Sequence, residues 1–195
     1  MRIRGGKDRG RELRALKSDH IRPPLERVRQ SIFSILSERV QGANVLDLFA
    51  GTGSLGLEAI SRGARRVLFV DNSAQSVRVL KRNIDSCGMT GQAQVMMMSA
   101  FQIFNSHRLR DAGPYEIIFA DPPYALLDME RGLGRFLRLL DKLVEEGLLA
   151  PDGRVVARCQ PGVMKAGELQ QLEVERSSQI GETEVFFLRR KSQPA

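Results

Sequence analysis

Between residues 45 and 158, short apolar runs alternate with stretches whose apolar residues recur at helical spacing. This alternation restricts the fold more than any other feature. Strands separated by helices must cross over, which makes the sheet parallel and covers both of its faces. The runs at 45–50, 66–71, 94–99, 116–121 and 154–158 read as strands. A helix over about 54–62 follows the first, and Val77, Leu80, Ile84 and Cys87 mark one helical face after the second. A short helix is expected near 100–107. Leu133, Phe136, Leu137, Leu140 and Val144 mark another amphipathic helix after the fourth strand. The tail predicts two more strands, 172–180 and 184–190, turning at Gly181. The expected fold is α/β: a mostly parallel seven-stranded sheet, helices on both faces, and a C-terminal antiparallel hairpin.

Ahead of this unit the chain is polar and rich in Gly and Arg, and residues 1–23 read as a basic arm or short hairpin. Pro23 and Pro24 precede Leu25, Val28, Ile32, Ile35 and Leu36 at helical spacing, which predicts a helix over 24–39 opening a domain that runs from 24 to 195. Residues 1–40 carry eleven Lys or Arg against five Asp or Glu, and so hold six of the seven net positive charges. Concentrated basic residues are the footprint of a phosphate backbone, because each contact releases condensed counterions. Arg2, Arg4, Lys7, Arg9, Arg11, Arg27 and Arg29 are the candidate contacts. A second basic group, Arg189-Arg190-Lys191, lies near the C-terminus.

No apolar run approaches the ~18 residues that span a bilayer, and the N-terminal residues lack the apolar core of a signal peptide. Cys87 and Cys159 fall inside expected core segments, which fits buried thiols in a reducing cytoplasm. His20 and His107 are isolated, so no metal site is expected.

Two motifs carry the chemistry. The first, Asp47-Leu48-Phe49-Ala50-Gly51-Thr52-Gly53-Ser54-Leu55-Gly56, lies where the first strand crosses into its helix. Glycines there let backbone amides approach a ligand, and a helix N-terminus favours polar groups. The spacing also fits a dinucleotide fingerprint, with Asp71 about twenty residues on. Asp47, however, would repel a diphosphate and attract an ammonium. Asp71, with Asn72 beside it, ends the next strand, where its oxygens can accept ribose hydroxyls. A ligand with a cationic amino-acid end and an adenosine end satisfies both acids, and S-adenosylmethionine is such a ligand.

The second motif, Asp121-Pro122-Pro123-Tyr124, ends the fourth strand. In an open parallel sheet it should face the same crevice as the glycine loop. Two prolines stiffen the turn and remove two amide donors. An exocyclic amino group on a base is a poor nucleophile, because its lone pair is delocalised into the ring. Acceptors at Asp121 and the Pro122 carbonyl can hold both of its hydrogens and favour a pyramidal nitrogen. Tyr124 offers a face for base stacking, worth ~1–3 kcal/mol.

The pairing of Asp47-x-Phe49-Ala50-Gly51-x-Gly53 with Asp121-Pro122-Pro123-Tyr124 resembles the amino-methylating Rossmann-like class I methyltransferases. Within them the chain resembles the RsmD family, through Gly6-Lys7-x-x-Gly10-Arg11-x-Leu13, Arg22-Pro23-x-x-x-Arg27-Val28-Arg29 and Leu55-Gly56-Leu57-Glu58-Ala59-x-Ser61-Arg62-Gly63. The resemblance implies transfer of a methyl group from S-adenosylmethionine to a guanine N2 of small-subunit ribosomal RNA. It places Arg22 at the border of cofactor and RNA, Asp71 on the ribose, and Ser99 and Ala100 beside the adenine. The expected partner is ribosomal RNA within a small subunit or assembly intermediate, met in the cytoplasm by a monomer and away from membranes. The chain departs from the family pattern at Pro24-Leu25-Glu26, where Thr-x-Asp is usual, and at Arg158, where an acid often stands. The alternatives are a DNA adenine or cytosine amino-methyltransferase, a protein-glutamine methyltransferase, and a non-catalytic RNA-binding assembly factor. A DNA enzyme of this type usually carries a further recognition domain, and a glutamine enzyme usually has Asn in place of Asp121.

Overall fold

The computed structural model describes residues 1–16, 26–165 and 167–192. Helix α1 (Glu26–Leu36) leads into the 3-10 turn Ser37–Val40, and then β1 (Asn44–Leu48), α2 (Ser54–Ser61), β2 (Arg66–Asp71), α3 (Ala74–Ser86) and β3 (Ala93–Met97) follow. A 3-10 segment (Ala100–Asn105), α4 (His107–Ala112), β4 (Tyr115–Ala120), α5 (Tyr124–Leu127), α6 (Glu130–Glu145), β5 (Leu149–Cys159), β6 (Leu172–Ile180) and β7 (Thr183–Arg190) complete the chain. The seven strands form one sheet in the order β3-β2-β1-β4-β5-β7-β6. Strands β1 to β5 pair in parallel, while β7 runs antiparallel to both β5 and β6. The chain builds outward from β1 to one side, then returns to lay β4 on the other. The switch point between β1 and β4 is where an open α/β sheet binds its ligands.

Alternation along the strands sorts the core into two layers. Val45, Phe69, Ile117, Phe119 and Val156 face α1, α2 and α3, with Phe33 of α1 5.8 Å from Phe119 between ring centroids. Leu46, Leu68, Val70, Ile118 and Val155 face α4, α5 and α6. Helix α6 turns Phe136, Leu139, Leu140 and Leu143 inward against β5 and β6 and keeps its other charged residues outside, but Asp141 is buried and accepts the Gln170 and Gln171 N–H groups. Both cysteines are buried. Among the described residues, no helix is long and apolar enough to cross a membrane.

Several boundaries differ from expectation, among them that of β3, which ends at Met97 and not at residue 99. The first helix ends at Leu36, and Ser37 takes φ 45°, which breaks the helical ladder; positions 24 and 25 lie outside the described residues. Strand β1 stops at Leu48 because Phe49 adopts φ 58°. Strand β5 starts at Leu149, well ahead of residue 154, and its pairing with β4 is interrupted by a shift between Tyr115 and Ile117. The N-terminal segment is a docked hairpin. Ile3 and Arg11 are joined by a 3.0 Å backbone bond, Leu13 N–H reaches Met1 O at 2.7 Å, and Ile3 and Leu13 are buried in the layer under α1 and α2.

Candidate active site

Every acid singled out above sits at the carboxyl end of a central strand. Asp47 is in β1, Asp71 ends β2, and Asp121 follows β4. Strand pairing brings them together: Leu48 is level with both Val70 and Ala120, and the Asp121 N–H reaches the Leu48 carbonyl at 3.5 Å. The glycine loop and the Asp-Pro-Pro-Tyr corner therefore border one crevice.

The loop is braced from beneath by its own acids. Asp71 Oδ2 accepts the Gly51 N–H at 2.7 Å, and Oδ1 accepts the Ser73 N–H at 2.8 Å. A carboxylate offers about four lone-pair positions, so each oxygen can still accept one hydroxyl. Asp47 Oδ2 accepts the Gly56 N–H at 2.9 Å. Asp47 is 1% exposed, and burial pushes its carboxyl up to about 8, against the pull of the Gly56 amide. It therefore gains most from a cation placed beside it. Gly53 takes φ 88°, and a Cβ there would stand 2.4 Å from Leu80 Cδ1. At Gly56 a Cβ would meet the Phe69 ring at 2.2 Å. These two positions let α2 settle against β2 and α3.

Phe49 turns its ring onto the opposite layer, 5.8 Å from Phe101 and 6.3 Å from Phe136. Ala50 is buried, with its N–H on the Val70 carbonyl at 3.0 Å. Asn72 is exposed at the rim. Ser99 caps the 3-10 segment by accepting the Phe101 N–H at 3.3 Å, and Ala100 is buried behind it. Arg22 lies outside the described residues.

At the other wall, Pro122 is buried, Pro123 is exposed and precedes α5, and Tyr124 opens that helix. Asp121 does not stand alone. Arg158 Nε donates to its Oδ1 at 2.5 Å, and the two side chains are 10% and 11% exposed. The Arg158 guanidinium lies 5.3 Å from the Tyr124 ring centroid, and its Nη1 donates to Tyr124 Oη at 3.3 Å. Tyr124 Oη also shares a 2.7 Å hydrogen bond with Thr183 Oγ1. Burial raises the Asp121 carboxyl above its ordinary range, and the Arg158 cation holds it back. Burial opposes the charge on Arg158, but Asp121 outweighs it and keeps the guanidinium protonated.

The basic arm needs one correction. Arg29, a candidate RNA contact, is 0% exposed. It stands on α1 beside Val28, Ile32 and Phe33, its Nη2 donates to the Arg2 carbonyl at 2.6 Å, and its Nε lies 3.5 Å from Glu58 Oε2. It ties the hairpin to the core and presents nothing to a polyanion. Arg2, Arg4, Lys7, Arg9, Arg11 and Arg27 are exposed, although Arg2 pairs with Glu12, Arg4 with Glu26 and Arg11 with Asp8.

Two residues matter here that the motif reading gave no role. Glu58 gathers Arg29, the Arg4 N–H at 2.8 Å and Arg62 at 2.8 Å. A single acid inside a helix buried on every side is the sequence signal for such a hub. Asn83, 0% exposed, donates to the Arg14 and Thr52 carbonyls at 3.0 and 2.9 Å and accepts the Arg14 N–H at 2.8 Å. It fastens the end of the basic hairpin to the glycine loop. A cavity of about 480 Å³ lined by Arg66, Gln94, Met96, Arg108 and Asp111 lies elsewhere, between β2, β3 and α4. It holds none of the three acids, and the strand ends locate the site better than its size does.

The family described as Conserved hypothetical protein 95 matches residues 1–189. The chain is 33% identical to the Bacillus subtilis protein named "Putative rRNA methyltransferase YlbH", over 98% of this chain and all of that one. It is 33% identical to "Ribosomal RNA small subunit methyltransferase D" of Escherichia coli, over 80% of this chain and 72% of that protein. A solved structure titled "Putative methyltransferase yhhF from Escherichia coli" superposes with a TM-score of 0.81 at 28% identity and covers 99% of each chain. The seven-stranded sheet, its crevice of strand-end acids and these likenesses agree: the chain belongs to the Conserved hypothetical protein 95 family, the RsmD-type methyltransferases.

Proposed function

We propose that the chain transfers a methyl group from S-adenosylmethionine to the exocyclic N2 amine of a guanine in small-subunit ribosomal RNA. The observation that carries this reading is the meeting of the glycine loop and Asp121 at the β1–β4 switch point, closed by the 3.5 Å contact of the Asp121 N–H with the Leu48 carbonyl. The donor set suits the cofactor. Asp71 keeps lone pairs for two ribose hydroxyls, and Asp47 is a buried acid in want of a cation. Gly51, where an added Cβ would meet nothing within 4 Å, leaves backbone free for close approach, and Ser99 and Ala100 border the adenine side. When bound, the cofactor supplies a methyl group on a positively charged sulfur.

The chain's own residues do the rest. Asp121 and the Pro122 carbonyl accept the amino hydrogens and turn the nitrogen lone pair toward the methyl group. Tyr124 covers the base face. Asp121 would then take the proton that the methylated nitrogen no longer holds and pass it to water. Orientation supplies most of the rate. Exposed Arg2, Arg4, Lys7, Arg9, Arg11 and Arg27 hold the RNA backbone, in the cytoplasm, on a small subunit or its assembly intermediate, with the chain acting as a monomer.

The Arg158–Asp121 pair is the one observation that favours the other reading, a non-catalytic RNA-binding factor. The two separate in one experiment: transfer of labelled methyl to small-subunit particles, naked ribosomal RNA and duplex DNA. Label recovered as N2-methylguanine from RNA is expected. Asp121→Ala should abolish it with cofactor affinity kept. Label in DNA, or RNA binding with no label anywhere, would overturn the proposal.

A further inference from the structure

We propose that Arg158 is a displaceable occupant of the acceptor slot, standing where the amino edge of the target base is held, and that the base must evict it before methyl transfer. The inference deepens the functional reading above and rests on its placement of Asp121 and Tyr124 on the acceptor side.

The geometry is that of a bound guanidine. Ala157 of β5 pairs with Ala120 of β4, so Arg158, still within β5 and paired with Val185 of β7, comes level with Asp121 just past the end of β4. The guanidinium donates to Asp121 Oδ1 at 2.5 Å and lies over the Tyr124 ring at 5.3 Å, within reach of a cation–π contact. It thus holds one of the two Asp121 oxygens that a two-donor base edge needs, and it lies against the Tyr124 ring proposed to cover the base. Base and arginine cannot both have them.

Guanine is the base that can compete. Its C2 carries N1, N2 and N3, a cyclic guanidine, and N1–H and N2–H form two adjacent donors that meet a carboxylate as an arginine fork does. Adenine and cytosine set an acceptor nitrogen beside their amino group, which would face a carboxylate oxygen. Asp121 is 11% exposed and needs a partner at all times. Arg158 provides one in the free protein and guanine replaces it. RNA offers the released guanidinium phosphate oxygens that match its planar fork, whereas an isolated base offers none.

Tyrosine emission tests this without any methyl transfer. The chain has two tyrosines and no tryptophan. Tyr115 is 1% exposed, with its hydroxyl on the Leu109 carbonyl at 3.0 Å, so quenching by acrylamide reports Tyr124. Guanosine 5′-monophosphate, with adenosine 5′-monophosphate as control, is titrated into wild type, Arg158→Ala and Arg158→Met. Met keeps the aliphatic stem if Ala fails to fold. The titrations are run at pH 8, with and without S-adenosylhomocysteine, because loss of the cation leaves burial to raise Asp121. Both variants should be more quenchable than wild type. Guanosine monophosphate should protect them at concentrations about tenfold lower, as follows if the slot is open in one wild-type molecule in ten. The adenosine nucleotide should not protect. Equal midpoints in wild type and variants, or no protection in any protein, would overturn the proposal. Failure of methyl transfer in the wild type would refute the functional reading while leaving the emission result to judge Arg158.

Discussion

Glu58→Gln is expected to be the most destabilising conservative change near the glycine loop. The glutamine keeps the shape and one acceptor oxygen, so what is lost is the charge. That charge sits 3.5 Å from Arg29 Nε, with Glu58 1% and Arg29 0% exposed. Arg29 cannot turn to water, whereas Arg62, 28% exposed, can. Removing one partner of a buried ion pair costs about 3–5 kcal/mol, mostly from the stranded charge. At ~2–4 °C per kcal/mol for a domain of this size, the midpoint should fall by roughly 6–20 °C. Urea unfolding of wild type, Glu58→Gln, Arg29→Met and the double variant would measure it. The double variant strands no charge, so the cycle should show a coupling of about 2–3 kcal/mol. A cost below about 1 kcal/mol, the size of an exposed pair, or additive effects would refute the argument. Because Glu58 also accepts the Arg4 N–H, the single variant should loosen the basic hairpin and weaken RNA binding more than cofactor binding.

Asp47 makes stability depend on pH in a stated direction. Its folded pKa of about 8 lies above the unfolded 3.8, so the native state binds the extra proton between those values. The stability it contributes is full below about pH 4 and lost as pH rises through 8, by up to about 1.4 kcal/mol per unit. Urea midpoints of Asp47→Asn should lack this component, and identical pH slopes in variant and wild type would count against it. A cationic amino-acid ligand should bind Asp47 more tightly as pH rises from 5.5 to 7, with proton release visible by calorimetry in buffers of different ionisation enthalpy; a pH-independent affinity would sink the ammonium assignment. Asp71→Ala removes the acceptor of two backbone N–H groups as well as the proposed ribose contacts. S-adenosylhomocysteine affinity should drop by at least about tenfold, since a hydrogen bond to a charged group is worth ~1.5–3 kcal/mol, and an unchanged affinity would undo the ribose role.

The strands and helices from β1 to β5 were legible because their period is written locally, and a run such as 66–71 reads the same whatever surrounds it. Arg29 was misread because a basic run hides which of its members shares the apolar face. Its signal was the spacing to Phe33 and Leu36, four and seven residues on, which a charge count ignores. Glu58 appeared within a matched motif but had no visible partner, since Arg29 and Arg4 reach it only across the packed hairpin.

By itself the sequence determined the layer order, the glycine loop, the acid at each strand end and the Asp-Pro-Pro-Tyr corner, all of which depend on neighbours within one turn or one strand. Only the tertiary structure decided who pairs with these acids. Asp71 was drawn to the Gly51 amide, Asp47 to that of Gly56, and Asp121 to Arg158, thirty-seven positions away. Parallel pairing joins residues that local pattern cannot connect, and a buried charge takes whichever partner that register brings level with it.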